Sequence, residues 1–250
     1  MLNSSFENKR VFVTGATSGI GLEIAKRLNS VSSYLSITGR NESILNALEF
    51  DFRRENINFI GSYKVDLCNF SEIESLVEKI DELDGLILNA GIIDYTPAKS
   101  VNLNKIRKVF ETNVFSNILF VQQLLKKKKI AKNASVVFIS SIASQVGVPG
   151  TSLYAASKGA INSYAKVLAF ELSKMNIRVN IISPGVVKTD LISNQDRLSD
   201  LEVDNLKIKY PLGLGEKEDV VDLVEFLISD KSRWITGSNF VIDGGYLINN

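Results

Sequence analysis

Short apolar runs alternate with longer amphipathic stretches along the chain. The runs are rich in Val, Ile, Leu and Phe, and several are apolar at successive positions, which is typical of strands buried on both faces. The predicted strands are Val11–Thr14, Tyr34–Thr38, Asn58–Val65, Gly85–Leu88, Ser135–Ser140, Arg178–Ile182 and Phe240–Ile242. The predicted helices lie near residues 19–30, 41–55, 71–82, 103–129, 152–174 and 217–229. This β-α alternation predicts an α/β protein with a doubly wound parallel sheet of about seven strands and helices on both faces.

The alternation runs without a linker, a repeat or a low-complexity tract, so we expect residues 1–250 to form a single domain. The least patterned stretch, residues 188–211, is polar and acidic, and we predict that it is a substrate lid. An ordinary surface excursion is the alternative. The run Lys126–Lys129 is predicted to end a long helix, where a solvated terminal turn is favoured over an anion or partner site.

Composition narrows the function mainly by exclusion. The chain has no histidine and one cysteine, Cys68, which rules out a Ser-His-Asp triad, a Cys-His dyad and a thiolate zinc site. We expect no metal site. A net charge of +1, with no basic stripe or aromatic platform, argues against nucleic acid as a partner. No window approaches the roughly 18 apolar residues of a membrane span, and no signal peptide is recognisable, so we expect a cytoplasmic protein that does not bind membranes.

A glycine-rich turn follows the first predicted strand, in the sequence VFVTGATSGIG at residues 11–21. Gly15, Gly19 and Gly21 allow a tight turn and a close approach of the backbone to a pyrophosphate at a helix N-terminus. The strand–turn–helix setting favours a Rossmann-like dinucleotide site over a plain βα turn.

The end of the second strand selects between the two nicotinamide cofactors. Gly39 occupies the position where an acidic residue would bind the ribose hydroxyls of NAD, and Arg40 comes next. A guanidinium can hold a 2′-phosphate through charge-assisted bonds, whereas the nearest following carboxylate, Glu42, stands two residues further on. We therefore predict NADP(H) over NAD(H); a solvated loop arginine is the alternative.

An ordered set of motifs runs along nearly the whole chain: TGATSGIG from Thr14, Asp66-Leu67, Asn89-Ala90-Gly91, Asn113, Ser141, YAASK from Tyr154, SPG from Ser183, Thr189, and DGG from Asp243. With these motifs the chain resembles the short-chain dehydrogenase/reductase family, including members that reduce 3-oxoacyl groups on acyl carrier protein. A lone Y-x-x-x-K pair would carry almost no weight.

The resemblance implies a catalytic set and a cofactor-binding set. The catalytic residues would be Asn113, Ser141, Tyr154 and Lys158. The cofactor-binding residues would be Gly15, Thr17, Ser18, Gly19, Ile20, Gly21, Arg40, Asp66, Leu67, Asn89, Ala90, Gly91, Tyr154, Lys158, Pro184, Gly185, Val187 and Thr189. In the family's pattern, Asn113 breaks a long helix and holds a water linked to the lysine, Ser141 orients the substrate carbonyl, and Asp66 binds the adenine.

Three positions depart from that pattern. Leu88 stands where many members have a second Asn, and Ser116 replaces a frequent Gly. Ser18 stands where many NADP-preferring members carry a basic residue, which leaves Arg40 nearly alone in support of NADP(H).

Proton chemistry is expected from Tyr154 and Lys158, which share one helix face at i and i+4. A nearby ammonium favours the phenolate, so we expect the lysine to lower the pKa of the tyrosine. Ser141 is preferred over Ser140 as the group that binds the carbonyl oxygen.

The sequence thus predicts an NADP-dependent ketoreductase. The substrate would be a small carbonyl compound or alcohol, with a carrier-bound acyl chain among the candidates. A dehydrogenase that oxidises a sugar, polyol or other secondary alcohol is the first alternative. A non-catalytic dinucleotide-binding regulator is the second, and the presence of both Tyr154 and Lys158 disfavours it. The resemblance also implies a homotetramer or homodimer.

Overall fold

The protein is built around one seven-stranded parallel sheet with the strand order β3-β2-β1-β4-β5-β6-β7. The structure is a computed structural model and describes residues 9–31, 33–188 and 208–249. The strands are β1 (Arg10–Thr14), β2 (Tyr34–Gly39), β3 (Gly61–Lys64), β4 (Leu83–Leu88), β5 (Ile130–Ile139), β6 (Arg178–Pro184) and β7 (Asn239–Ile242). The helices are α1 (Gly19–Ser30), α2 (Glu42–Glu55), α3 (Phe70–Lys79), α4 (Leu103–Phe110), α5 (Ser116–Lys126), α6 (Ser152–Leu172) and α7 (Lys217–Ile228).

Two apolar layers enclose the sheet. One face packs α3, α5 and α6 around Phe12, Phe120 and Phe138. The opposite face packs α1, α2 and α7 around residues such as Ile24 and Val220. Because both faces are covered, the central strands are buried along their length, as their nearly continuous apolar sequences predict.

The strand order reverses beside β1, since the chain proceeds from β1 outward to β3 and then returns to β4 on the other side of β1. Open α/β sheets bind ligands outside the carboxyl ends of the strands at such a switch point. The turn after β1 and the loop after β4 therefore meet where a dinucleotide would bind.

The predicted fold class is confirmed, with differences of extent. β3 begins at Gly61 rather than Asn58, because its ladder with β2 spans only Ser36–Gly39. The predicted helix over 103–129 is wrong as one element: a π-helical turn at Glu111–Phe115 separates α4 from α5. The second helix, α5, ends at Lys126, the first lysine of the run, and not at Lys129.

The lysine run divides among three environments. Lys128 has a left-handed backbone with φ of 54°, which stops the helix. Lys127 pairs with Glu78 on the surface, while the Nζ of Lys129 donates to the carbonyl of Ile80. Lys127 and Lys129 are thus bonded to the C-terminal end of α3 in the same chain.

Most of the predicted lid over 188–211 lies outside the described residues, which resume at residue 208. In the part of the chain that the structure covers, no helix is long and apolar enough to cross a membrane.

Candidate active site

The glycine turn after β1 is closed by side-chain bonds from the loop after β4. The amide nitrogen of Asn89 donates to the carbonyls of Gly15, at 3.1 Å, and Thr14, at 3.3 Å. The hydroxyl oxygen of Thr14 in turn accepts from the backbone N–H groups of Asn89 and Ala90. Asn89 and Ala90 therefore stabilise the turn, and the side-chain amide nitrogen of Asn89 donates to backbone carbonyls of the protein.

Backbone crowding explains why the turn needs glycine. Gly15 has φ of 66°, a left-handed conformation, and a Cβ at Gly21 would lie 2.2 Å from the carbonyl oxygen of Gly15. The N-cap residue of α1, Ser18, makes no side-chain capping bond. The first N–H groups of α1 therefore remain open toward a phosphate, and this cradle of backbone donors fits a dinucleotide.

The other residues predicted in this turn make different contributions. Thr17 packs against Gly39 at the end of β2, and a Cβ added to residue 39 would lie 2.5 Å from the Thr17 methyl group. Ile20 packs its side chain against the apolar layer of α1, α2 and α7, so it would offer a phosphate its backbone N–H and not its side chain. Gly19 opens the helix with a left-handed φ of 55°.

A polar groove lies beyond the ends of β2 and β3. It is lined by Arg40, Asn41, Glu42, Ser43, Asn46 and Lys64. Arg40 is exposed and makes no ion pair within the described residues, whereas Lys64 pairs with Glu42 at 2.7 Å. Arg40 is thus an available cation at the predicted cofactor position, and Lys64 is a second cation that the sequence prediction missed.

Asp66 and Leu67 follow β3 beside this groove. The carboxylate of Asp66 accepts from the backbone N–H of Cys68 at 3.0 Å, and Asp66 remains exposed. Leu67 is buried in the apolar layer of α3 and α5. Asp66 can therefore meet a ligand with its carboxylate, while the Leu67 side chain serves the core.

Asn113 lies at the centre of the π-helical turn. Its amide clasps the loop after β4, accepting from the N–H of Ile92 at 2.7 Å and donating to the Ile92 carbonyl at 2.9 Å, and it also donates to Ser157 on α6. The Asn113 carbonyl, which lies in the π turn, accepts from the Asn117 side chain at 2.9 Å. The resemblance did not indicate Asn117 or Ser157.

The catalytic candidates meet at the carboxyl end of β5. The hydroxyl of Ser141 lies close enough to the Tyr154 phenol to favour its phenolate, and the Nζ of Lys158 lies 5.7 Å from the centroid of the tyrosine ring. The same Nζ donates to the carbonyl of Ile139, the last residue of β5, at 2.8 Å. A Cβ on Gly91 would lie 3.6 Å from that Nζ, so the loop after β4 covers the lysine. The end of β5, the loop after β4 and α6 thus converge on the pair Tyr154 and Lys158.

Burial controls the protonation of this pair. Burial raises the pKa of Tyr154 to about 12, although the neighbouring Ser141 hydroxyl lowers it in part. Burial also lowers the pKa of Lys158 to about 8. The predicted lowering of the tyrosine pKa is therefore wrong, because burial of the phenol is the largest influence on this pKa and it raises it. Tyr154 is a neutral phenol near pH 7, which is the form that donates a proton.

The loop after β6 contains the remaining cofactor candidates. Pro184 ends the strand, and Gly185 donates to the carbonyl of Ile242 at 2.9 Å. The N–H of Val186 donates to the hydroxyl oxygen of Tyr210 at 3.0 Å. Val187 is buried against the layer of α7. Thr189 lies outside the described residues.

A family model described as "Enoyl-(Acyl carrier protein) reductase" matches residues 15–247, which is most of the chain. The chain belongs to the short-chain dehydrogenase/reductase family. The family's members are oxidoreductases that interconvert CH–OH and C=O groups with a nicotinamide cofactor, and the protein is accordingly an enzyme of this class.

Named relatives of this short-chain dehydrogenase/reductase have different substrates. A 3-oxoacyl-[acyl-carrier-protein] reductase of Rickettsia bellii is 33% identical over 240 residues, covering 94% of this chain and 95% of the relative. A cyclopentanol dehydrogenase of Comamonas sp. is 30% identical, covering 97% and 98%. The structure of a short-chain type dehydrogenase/reductase from Mycobacterium ulcerans superposes with a TM-score of 0.89 at 27% identity, covering 98% and 91%.

Proposed function

We propose that this enzyme is an NADP(H)-dependent ketoreductase, with Tyr154 as the proton donor to a substrate carbonyl. The observation that carries the proposal is that Tyr154 and Ser141 lie together at the end of β5, next to a buried Lys158 whose Nζ is held by the Ile139 carbonyl. Two hydroxyls that lie this close together can both reach one carbonyl oxygen, and they lie at the sheet edge where the glycine turn offers backbone N–H groups to a phosphate.

The protein's part in the reaction is to position and protonate. The bound cofactor supplies the hydride for the carbonyl carbon. Tyr154 gives its phenolic proton to the carbonyl oxygen, and Ser141 stabilises the charge that develops there. Lys158 is held by the Ile139 carbonyl and keeps positive charge near the phenolate that forms. Oxidation of a secondary alcohol is the reverse of these steps.

The substrate we propose is a small ketone or a 3-oxoacyl thioester. Support comes from the reductase of Rickettsia bellii, while the cyclopentanol dehydrogenase of Comamonas favours a cyclic alcohol as the second candidate. The decisive experiment measures NADPH consumption with acetoacetyl-coenzyme A and a panel of ketones, and NADP⁺ reduction with cyclopentanol and sugar alcohols. A purified enzyme that turns over none of them would contradict the proposal.

The preference for NADP(H) rests on Arg40. Its guanidinium is exposed beside the open end of β2 and has no acidic partner in the described segments, so a 2′-phosphate can take both of its donor edges. Arg40→Asp should raise the Km for NADPH about tenfold or more while sparing NADH, because a carboxylate repels the phosphate. Arg54→Asp, on the exposed surface of α2, is the matched control.

We also propose that the chain works as one cytoplasmic domain that assembles into a homodimer or homotetramer. Exposed apolar side chains support self-association: Phe170 and Val167 lie three residues apart on α6 with 82% and 59% of their surfaces exposed, and Phe115 stands just before α5 at 52%. Oligomer interfaces bury such side chains. No nucleic-acid partner is proposed.

A further inference from the structure

We propose that Tyr210 is a positioning residue for hydride transfer, whose phenolic oxygen fixes the backbone of the loop after β6. The inference rests on the proposed function, which brings the nicotinamide next to the loop Gly185–Val187. Tyr210 would not touch the reacting atoms. It would act by holding the wall against which they lie.

The contact between Tyr210 and this loop is both polar and steric. The Val186 N–H donates to the Tyr210 oxygen at 3.0 Å, and because β6 ends at Pro184, no strand neighbour takes that N–H. A Cβ on Gly185 would lie 2.9 Å from the edge of the Tyr210 ring. The ring and its hydroxyl therefore define how closely the loop approaches residue 210.

The rest of the loop is held by the backbone of Gly215. The Val186 carbonyl accepts from the N–H of Gly215 at 3.1 Å, and the Lys188 N–H donates to the Gly215 carbonyl at 2.8 Å. Between these bonds, the Val187 N–H donates to no group in the described part of the chain. A fixed backbone donor is thus presented between two clamped neighbours, in a region where one polar edge of the nicotinamide would need a partner.

The Tyr210 ring also connects this loop to the substrate side. Tyr210 is 4% exposed and forms an apolar cluster with Tyr246, at a ring-centroid distance of 4.7 Å, and with Ile142. Ile142 directly follows Ser141 in the chain. The cluster around Tyr210 therefore joins the segment that carries the carbonyl-binding hydroxyl to the loop that would hold the nicotinamide.

Burial raises the pKa of Tyr210 to about 12, so the phenol stays neutral over the working range of pH. Its effect on the reaction should accordingly be independent of pH, unlike that of an acid or base. A general packing role is the competing explanation, because the same ring fills the cluster with Tyr246.

The test compares Tyr210→Phe with Tyr246→Phe, since each removes one hydroxyl from the same cluster. For Tyr210→Phe we expect kcat to fall about fivefold to tenfold, as the loss of a neutral hydrogen bond allows. The primary deuterium isotope effect on kcat, measured with 4-deuterated NADPH, should rise. The Kd for adenosine 2′,5′-bisphosphate should stay unchanged, and the pH profile should run parallel to that of the wild type. Tyr246→Phe should remain within about twofold of wild type in kcat.

A second measurement needs no turnover. Deuterium exchange at the Val186 amide should accelerate in Tyr210→Phe and not in Tyr246→Phe. Unchanged exchange and kcat in Tyr210→Phe would overturn the inference, as would equal losses in both variants accompanied by weaker bisphosphate binding. Either result leaves the proposed function standing if wild type still reduces carbonyls with NADPH. A wild-type enzyme that does not do so overturns both.

Discussion

The ammonium nitrogen of Lys158 lies 5.7 Å from the ring centroid of Tyr154 and donates to the carbonyl of Ile139 at 2.8 Å. The lysine is therefore fastened to the end of β5 and remains below the tyrosine ring. Because both groups are buried, neither has its solution pKa: that of the phenol is raised to about 12 and that of the ammonium is lowered to about 8. These values lead to distinct expectations for activity and for stability.

Tyr154→Phe should remove the proton donor and leave the fold intact. We expect kcat to fall by about 10²-fold or more, in line with the usual contribution of general acid catalysis, while the Kd for NADPH changes little. Steady-state kinetics and fluorescence titration with NADPH measure the two quantities. Tyr164→Phe is the matched control, since Tyr164 is a half-buried phenol on the same helix with its pKa also raised to about 12. Full activity in Tyr154→Phe would contradict the mechanism.

Lys158→Met should stabilise the protein at neutral pH even as it impairs turnover. The fall of the lysine pKa from 10.5 to about 8 means that a buried ammonium costs up to ~3 kcal/mol of folding free energy near pH 7. The unfolded state binds more protons than the native state between pH 8 and 10.5, so wild-type stability rises across that window.

The advantage of Lys158→Met over wild type should therefore shrink between about pH 8 and pH 10. Urea unfolding at several pH values measures it. Tyr154 contributes with the opposite sign only above pH 10, because its pKa is raised from 10.0 to about 12. If Lys158→Met is no more stable than wild type at pH 7, burial of the lysine ammonium does not cost folding free energy.

Asn117→Leu should disturb the π-helical turn. The Asn117 amide donates to the carbonyl of Asn113, and losing this hydrogen bond should lower the free energy of unfolding by about 1 kcal/mol. Since Asn113 also clasps Ile92, we expect kcat to decline as well. Thermal unfolding and kinetics check both effects, and Gln122→Leu on the exposed face of α5 is the control. No change in either quantity would show that the turn persists without this bond.

Arg178→Met should destabilise the protein without a direct effect on chemistry. The guanidinium is buried and donates to the carbonyls of Leu227 and Ser229 and to the hydroxyl of Ser232, so it caps the C-terminus of α7. Loss of charge-assisted bonds at a helix terminus should lower the free energy of unfolding by about 2 kcal/mol. Chemical denaturation tests this, with the exposed Arg233→Met as the comparison. Equal stability of the two variants would contradict it.

Phe170→Glu should reduce the assembly size. Its ring is 82% exposed on α6, and a carboxylate there would oppose a hydrophobic contact between copies of the chain. Size-exclusion chromatography with light scattering should show a smaller species than wild type. Phe50→Glu, on α2 at the other face of the sheet, should leave the size unchanged. If wild type is already a monomer, the proposed oligomer is wrong.

The architecture was predictable because the apolar periods of strands and helices are local properties of the sequence. The break within 103–129 was not, since all of Glu111–Phe115 is compatible with an ordinary helix. Its cause is a set of side-chain bonds: Ser116 donates to the carbonyl of Thr112, and Asn117 to that of Asn113. Only the resemblance indicated an interruption near Asn113.

The site residues were found by their motifs, but several of their contacts depend on tertiary packing. Tyr210 stands in a stretch without a recognisable motif, and its bond to Val186 joins segments that lie 24 residues apart. The pKa of Tyr154 was predicted in the wrong direction, because the charge of Lys158 is visible in the sequence while the depth of burial is not.

The bonds between Asn89 and the turn at Gly15 have a consequence for cofactor affinity. A loop that must first settle into shape spends part of its binding free energy on lost conformational entropy. Here the side chains of Asn89 and Thr14 already fix the backbone that would meet the diphosphate. Folding of the sheet already orders this turn. The entropy lost in ordering it is therefore a cost of folding and does not reduce the free energy of cofactor binding.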